Sequence, residues 1–562
     1  MKDKGSNLRI YLVYFVFSLL FFSLSLRITY LQTVKRKDFL ALAKSQHSKV
    51  ITVKGERGRI FDRNNRVLAT NIVVYSVYMD PKFVRNKKDT AEKLAKELGL
   101  RAKDILDKLS ASKRFVWIKR KISPKEKERL AQLNLKGVYF LREYKRFYPQ
   151  GALASHILGG VDIDNRGIEG VELFYDKFLR GKEGLVSVLK DSASRSLYTY
   201  PQVLYANRGL DLNLTIDIQL QYWVESCLKE TIDKYSAHAG SVIVINPFTG
   251  EVLALANFPT YDPNHIGEAS AREIRNRAIG DIFEPGSVFK IVTLVGSLDR
   301  KIFSLGDTIY CENGRFKIPG SILHDWKPYG ELTYKEVFKK SSNIGVAKIA
   351  SRLGATVLYS YIRRMGFGQK TGIDLPGEAK GILKDPRAWS NTSSYIIPIG
   401  QEIGVTVLQL AQAMCVVVNG GYLVKPHVCK EFRGSYGLRK EFRLNKRRVV
   451  PSGVSSMAKR ILIEVVNDGT GKLAKIEGIV VGGKTGTAQK YDVEKGRYSP
   501  YAYRASFAGF IENDGKSFVI CVSIDEPYRS HFGGVVAAPL FRKIAEKIVE
   551  YEEANKRIAA VR

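Results

Sequence analysis

A serine three residues ahead of a lysine places a hydroxyl and an amine on one face of a helix, the spacing a nucleophile and its base require. The chain carries that spacing five times: Ser110/Lys113, Ser187/Lys190, Ser226/Lys229, Ser287/Lys290 and Ser456/Lys459. Spacing alone is weak in a lysine-rich sequence, and context separates the copies. Only Ser287 follows a Pro-Gly turn, in Phe283-Glu-Pro-Gly-Ser-Val-Phe-Lys290, and only Ser287 opens an apolar run, Ile291-Val-Thr-Leu-Val295. A helix start supplies unpaired N–H groups and partial positive charge, which favour a developing alkoxide and oxyanion. Lys290 on the buried face of such a helix is desolvated, its pKa falls, and it is able to act as a neutral base.

Two further elements supply what an acyl transfer needs. Ser341-Ser-Asn343 is the only Ser-x-Asn in the chain. Its hydroxyl suits proton relay and its carboxamide suits a substrate amide, although an N-cap for a helix from Ile344 explains the same residues. Lys-Thr-Gly occurs twice. Lys370-Thr-Gly372 reads as a turn before Asp374-Leu-Pro-Gly377. Lys484-Thr-Gly-Thr487 follows the apolar Ile479-Val-Val481 and reads as a strand at the cleft side of a sheet. There Lys484 offers charge to a carboxylate, Thr485 and Thr487 offer hydroxyls, Gly486 lets substrate backbone approach, and the Thr487 N–H joins that of Ser287 in an oxyanion hole.

The elements that must position these groups follow from pattern. Alternation marks strands near 51–80 and 210–216, and a helix is expected over about 218–235. A hairpin is expected over 240–256. Helices are expected at about 286–300, 333–353, 355–365, 405–419 and 452–466, strands at 478–483, 503–511 and 517–524, and a last helix at about 537–555. Strands enclosing a helical middle imply an α+β domain whose sheet is completed by the returning chain. The 562 residues suggest two to four domains. Ile10 to Leu26 is uncharged, long enough with its extension to Leu31 to cross about 30 Å of hydrocarbon. No small-residue cleavage site follows, which implies an uncleaved anchor. Lysines and arginines flank both ends of this segment, so the charge rule does not set its orientation. The net charge of +34 suits nucleic acid, anionic lipid or an anionic polymer, or a merely solvated surface. The five cysteines form no C-x-x-C pair, and no zinc spacing occurs.

Ser-x-x-Lys, Ser-x-Asn and Lys-Thr-Gly-Thr in this order form the signature of penicillin-binding proteins and β-lactamases. The chain resembles the class B, monofunctional penicillin-binding proteins. Glu56-Arg-Gly-Arg-Ile-Phe-Asp-Arg63, Tyr148-Pro-Gln-Gly151, His156 and Gly167-Ile-Glu-Gly-Val-Glu172 resemble motifs of their N-terminal pedestal. Tyr261-Asp-Pro-Asn264 and Asn276-Arg-Ala278 precede the serine as in that family. Phe283-Glu-Pro-Gly-Ser, with Lys484-Thr-Gly-Thr-Ala-Gln489, is most similar to the cell-division branch; sporulation-specific members look similar. Asn65 stands where the family usually has glycine, and Ser342 where β-lactamases usually have aspartate.

The resemblance implies a multidomain α+β protein: a cytoplasmic tail (1–9), a transmembrane anchor (10–31), a β-rich pedestal or dimerisation-like domain (45–210) and a transpeptidase domain (235–555) with an antiparallel sheet, flanking helices and a helical subdomain. It implies a serine D,D-transpeptidase that cross-links peptidoglycan stem peptides. Ser287, Lys290, Ser341 and Asn343 would be catalytic, and Lys484, Thr485, Gly486 and Thr487 would bind substrate. β-Lactams would acylate the same serine, and no metal or organic cofactor is implied. The implied partners are a SEDS-family glycan polymerase and divisome membrane proteins. The implied location is the cytoplasmic (inner) membrane, crossed once, with the catalytic domain on the periplasmic or extracellular side. An elongation- or sporulation-type enzyme, a β-lactamase or β-lactam receptor, a non-catalytic envelope scaffold and a nucleic-acid binder are the competing expectations.

Overall fold

The computed structural model describes residues 4–39, 48–53, 55–110, 115–181, 184–190, 196–204, 208–434, 439–492 and 496–561. The side chains of Ser187 and Lys190, and most of the basic stretch before residue 50, lie outside the described residues.

The chain divides into two compact units. The first comprises Met1–Glu56 and Gly181–Gly209. Its helix Lys4–Thr33 contains a 27-residue segment, Asn7–Thr33, of mean hydropathy 1.9. At about 1.5 Å per residue that segment exceeds the roughly 30 Å hydrocarbon thickness. It is the one helix among the described residues long and apolar enough to cross a membrane. The same unit holds a three-stranded antiparallel sheet with Gly184–Lys190 between Ser48–Val53 and Ser196–Leu204.

The second unit comprises Arg57–Arg180 and Leu210–Arg562. Its seven-stranded sheet runs, in order, Arg439–Glu441, Cys429–Arg433, Asp211–Leu214, Ile60–Phe61, Val67–Met79 and Val116–Ile122, with Val138–Phe147 also paired to Val67–Met79. Two of these strands come from beyond residue 400. The sequence division near 210–235 therefore does not divide this sheet.

The pedestal motifs converge on one buried carboxylate. Glu172 accepts from Arg57 Nε and Arg146 Nε, both at 2.6 Å, and from the Tyr148 hydroxyl at 3.3 Å. Burial pushes the Glu172 carboxyl upward, but Arg146 and Arg57 outweigh it and hold it below the usual range. The neighbouring turn explains Asn65. Its φ is +63°, a conformation asparagine tolerates better than most residues. Its Oδ1 also accepts from Asn213 Nδ2 at 2.8 Å and Arg433 Nη1 at 3.0 Å, bonds a glycine would lack.

Hydrogen bonds tie the pedestal to the segment ahead of Ser287. Asn264 exchanges two bonds with the Tyr148 backbone, each 3.0 Å. Asn276 Nδ2 donates to His156 O at 3.2 Å, while Asn257 Oδ1 receives Ala278 N at 2.9 Å. Burial pushes the His156 imidazole down to about 4, so at neutral pH it is uncharged and its Nε2 N–H donates to Glu273 O at 2.8 Å.

The C-terminal region begins with α1 (Ile218–Tyr235), β1 (Ala239–Ile245) and β2 (Val252–Phe258). It continues with α2 (Lys290–Asp299), α3 (Asn343–Leu353), α4 (Val407–Val418) and α5 (Ser452–Asp468). It closes with β3 (Val480–Asp492), β4 (Arg497–Asn513), β5 (Lys516–Asp525) and α6 (Gly533–Val561). The sheet is antiparallel in the order β2-β1-β5-β4-β3, so β3 is an edge strand. Both faces are covered. Val242 and Val244 pack with Leu220, Val224 and Phe541 of α1 and α6. Ile243 and Ile245 belong to the core that includes α2 and α4. That is why β1 is apolar at nearly every position instead of alternating.

One expectation fails instructively. The single helix expected over 333–353 is broken into Tyr334–Lys339 and α3. Ser341 sits at φ +60° between them, and Ser342 caps α3 by accepting from Gly345 N at 2.9 Å. The break is what frees the Ser341 side chain from a helix surface.

Candidate active site

Ser287 lies in a single 3-10 turn, Gly286–Phe289, that runs directly into α2. Every residue of α2 from Lys290 to Leu298 is buried, so the helix is fixed on all sides. Gly286 has φ +54°, and a Cβ there would lie 2.8 Å from the Thr487 carbonyl oxygen. A Cβ on Gly486 would lie 2.7 Å from Pro285 O and 2.4 Å from Ser506 Oγ. These two glycines let the nucleophile turn and β3 touch backbone to backbone. The direction in which a Gly486 side chain would project is thus filled by Pro285 and Ser506.

Lys290 is fully buried. Its Nζ donates to Ser341 O at 2.7 Å, Asn343 Oδ1 at 2.7 Å and Ser341 Oγ at 3.3 Å. Lys484 Nζ donates to the same Ser341 Oγ at 2.8 Å and to Thr485 O at 3.3 Å. The structure thus gathers Lys290 and Lys484 around the Ser341 hydroxyl, with Asn343 on Lys290, which opens the helix that follows the Ser287 turn. With two amines donating to it, the Ser341 oxygen has its lone pairs engaged and its own proton left to donate. No hydrogen bond joins Lys290 to Ser287 among the described residues; catalytic bonds commonly close only when substrate is present.

Electrostatics follow from burial. Desolvation pushes Lys290 down to about 7, against the pull of Asp325. Desolvation, together with repulsion from Lys290, pushes Lys484 well below its ordinary value. The two amines are buried side by side, an arrangement that disfavours two positive charges there.

The threonines are positioned by neighbours that the sequence did not flag. The Thr485 hydroxyl donates to Thr470 Oγ1 at 3.1 Å. Thr487 Oγ1 accepts from Gly533 N, at the start of α6, at 3.0 Å. The Lys-Thr-Gly at 370–372 lies in a loop held by Glu378, which accepts from Thr371 and Gly372. Of the other Ser-x-x-Lys pairs, Lys229 is bound to Asp233 and Lys459 to Glu512.

The residue that sequence reasoning missed is Asp325. It follows a short hairpin strand, Ser321–His324, in the helical subdomain. Its carboxylate accepts from Ser342 Oγ at 2.6 Å, from Ile344 N at 3.1 Å and from Asn343 N. Asn343 Nδ2 donates to His324 O at 2.9 Å. Asp325 therefore sits at the N-terminus of α3, fixes the Ser-x-Asn loop and favours charge on Lys290. The local sequence, His324-Asp-Trp, gives no capping signal, because the helix it serves starts far along the chain.

The comparisons with known proteins agree with this geometry. The model of the penicillin binding protein transpeptidase domain matches residues 240–546, and that of the penicillin-binding protein dimerisation domain matches residues 52–214. Stage V sporulation protein D of Bacillus subtilis is 34% identical over 542 residues, covering 94% of this chain and 83% of the relative. The probable peptidoglycan D,D-transpeptidase PenA of Neisseria meningitidis is 32% identical over 550 residues, covering 97% and 92%. The crystal structure of penicillin-binding protein 3 from Mycobacterium tuberculosis complexed with aztreonam superposes with a TM-score of 0.71 at 29% identity, covering 90% of this chain and 97% of that one. The chain belongs to the class B penicillin-binding proteins, the monofunctional peptidoglycan D,D-transpeptidases.

Asp325→Ala would leave the donors of Ser342 and Asn343 without their acceptor. It is expected to cost about 1–3 kcal/mol of stability and to slow acylation by a fluorescent penicillin by roughly tenfold or more, as the Ser341 loop loses its register. An acylation rate equal to that of the parent enzyme would show that Asp325 does not hold the loop.

Proposed function

We propose that the protein cross-links peptidoglycan by a serine acyl-enzyme route carried by Ser287. The observation that carries this reading is the Ser341 hydroxyl held between the buried amines of Lys290 and Lys484, beside a nucleophile turn pressed against Thr487. A donor stem peptide ending in D-Ala-D-Ala sets its carboxylate near Lys484 and Thr485. Ser287 Oγ attacks the penultimate carbonyl, and Lys290, a fraction of it neutral at pH 7, takes the proton. The oxyanion is met by the N–H groups of Ser287 and Thr487. Ser341 passes a proton to the departing D-Ala nitrogen and recovers one from its lysine neighbours. Asn343 holds the substrate amide. An amine of a second stem peptide then attacks the ester, forming the cross-link and freeing Ser287. A β-lactam presents the same carbonyl and carboxylate and acylates the same oxygen.

The catalytic region lies outside the cytoplasmic membrane, where peptidoglycan is built, with the N-terminal helix as a single-pass anchor; the segment Asn7–Thr33 supports this. A SEDS-family glycan polymerase and divisome proteins are the partners of this reading, and the basic surface faces anionic envelope material. Phe283-Glu-Pro-Gly-Ser287 and a relative named peptidoglycan D,D-transpeptidase FtsI, 30% identical over 563 residues, favour a septal role. The relative named for stage V sporulation favours a sporulation role.

Two experiments test these claims. Fluorescent penicillin should give a covalent band on a denaturing gel that disappears in Ser287→Ala and persists in Ser226→Ala; a folded parent protein that takes no label would point to a non-catalytic scaffold. Depletion in growing cells should block septation. Normal division with defective spores would assign the sporulation role instead.

A further inference from the structure

Beyond Thr487, a pocket of about 520 Å³ is lined by Arg272, Arg275, Arg277, Lys490 and Arg504, with Asp281, Asp525 and Ile282. Asp281 pairs with Arg275 and Arg277. Asp525 pairs with Lys490 and Arg504, and Glu526 reaches Lys490 from the rim. His238 faces Asp525 at 3.8 Å. Five cations therefore meet three carboxylates. The guanidinium of Arg272 donates to a backbone carbonyl, His238 O, at 3.3 Å; the nearby Glu273 carboxylate is engaged by Ser270.

Two of the arginines are built into the wall. Arg277 is 12% exposed and Arg504 is 11% exposed, and the Arg504 guanidinium lies over the Phe283 ring at 4.6 Å. The Nε–H of each is buried with no hydrogen-bond partner among the described residues. The Arg504 guanidinium, held over Phe283 and by Ser523 and Asp525, is a fixed positive charge in the wall, which favours an oxyanion in the pocket.

The position of the pocket identifies the oxyanion. This step rests on the Ser287 reading above. Lys490 lies three residues past Thr487 on the edge strand β3, about 10 Å along it. A donor whose terminal carboxylate sits at Lys484 and Thr485, and whose scissile carbonyl sits at Ser287 and Thr487, must run its remaining residues toward Lys490. An extended peptide advances about 3.3–3.6 Å per residue. The residue ahead of the D-Ala-D-Ala end, with its side chain, thus spans the distance.

We propose that this pocket is a specificity subsite for a free side-chain carboxylate on the donor stem residue that precedes D-Ala-D-Ala. Arg272 and Lys490 are its exposed charges, and Arg277 and Arg504 its fixed wall.

The test uses two pentapeptide donors ending in D-Ala-D-Ala that differ only in whether the third residue's side chain ends in a carboxylate or a carboxamide. The full-length enzyme should prefer the carboxylate donor by about tenfold in kcat/KM, the scale of one partly exposed charge-assisted contact. The preference should fall to about unity in Arg272→Gln/Lys490→Gln and persist in Lys490→Arg. Fluorescent penicillin labelling of each variant reports a folded, reactive Ser287 independently of the donor. Equal kcat/KM for the two donors in the parent enzyme, or an undiminished preference in the double variant, would overturn the proposal. Loss of the parent enzyme's own penicillin label would refute the Ser287 reading beneath it and the subsite with it.

Discussion

Two lysine amines buried around one serine hydroxyl are the constraint on which the site depends. Removing an ammonium from water costs several kcal/mol unless it is paired. Here the compensation is a set of neutral oxygens, Ser341 O, Ser341 Oγ and Asn343 Oδ1, with Asp325 behind them. Such partners stabilise a charged amine incompletely, so the neutral form becomes accessible near pH 7. The penalty of burial is in this way turned into basicity at the pH where the enzyme must work.

Holding that arrangement requires a rigid surround. The nucleophile helix is buried along its length, and the sheet is covered on both faces by α1 and α6 on one side and the α2–α4 core on the other. At Gly286 and Gly486 a side chain would collide across the contact between the Ser287 turn and β3. The pedestal motifs contribute at a distance. The Glu172 cluster fixes Arg57, Arg146 and Tyr148, and Asn264 and Asn276 carry that order to the residues just ahead of Ser287. The strands drawn from beyond residue 400 join the pedestal sheet to the C-terminal region within one compact unit.

Much of this was legible in the residues. Short-range signals carried the Ser287 turn, the helix after it, the β1–β2 hairpin and the three closing strands, because turn chemistry and apolar runs are local. Long-range contacts were not legible. Asp325 caps a helix that starts eighteen positions further on, and Thr470 meets Thr485 only in the folded chain. The break at Ser341 was hidden because Tyr334–Lys339 and α3 are each good helices, and the loop between them is bonded to Lys290 and Asp325, which lie far away in the chain. The close approach of Gly486 to Pro285 and Ser506 was not legible either, because both partners lie far from it in the chain.

The most direct measurement is an NMR titration of the lysine side chains in the full-length enzyme, with Lys290→Arg and Lys484→Arg used to assign the signals. The account predicts that Lys290 titrates at about 7, well below the surface lysines, and that Lys484 is also depressed. Both amines titrating with the surface lysines, at about 10.4, would contradict it and remove the ground for proposing Lys290 as the base.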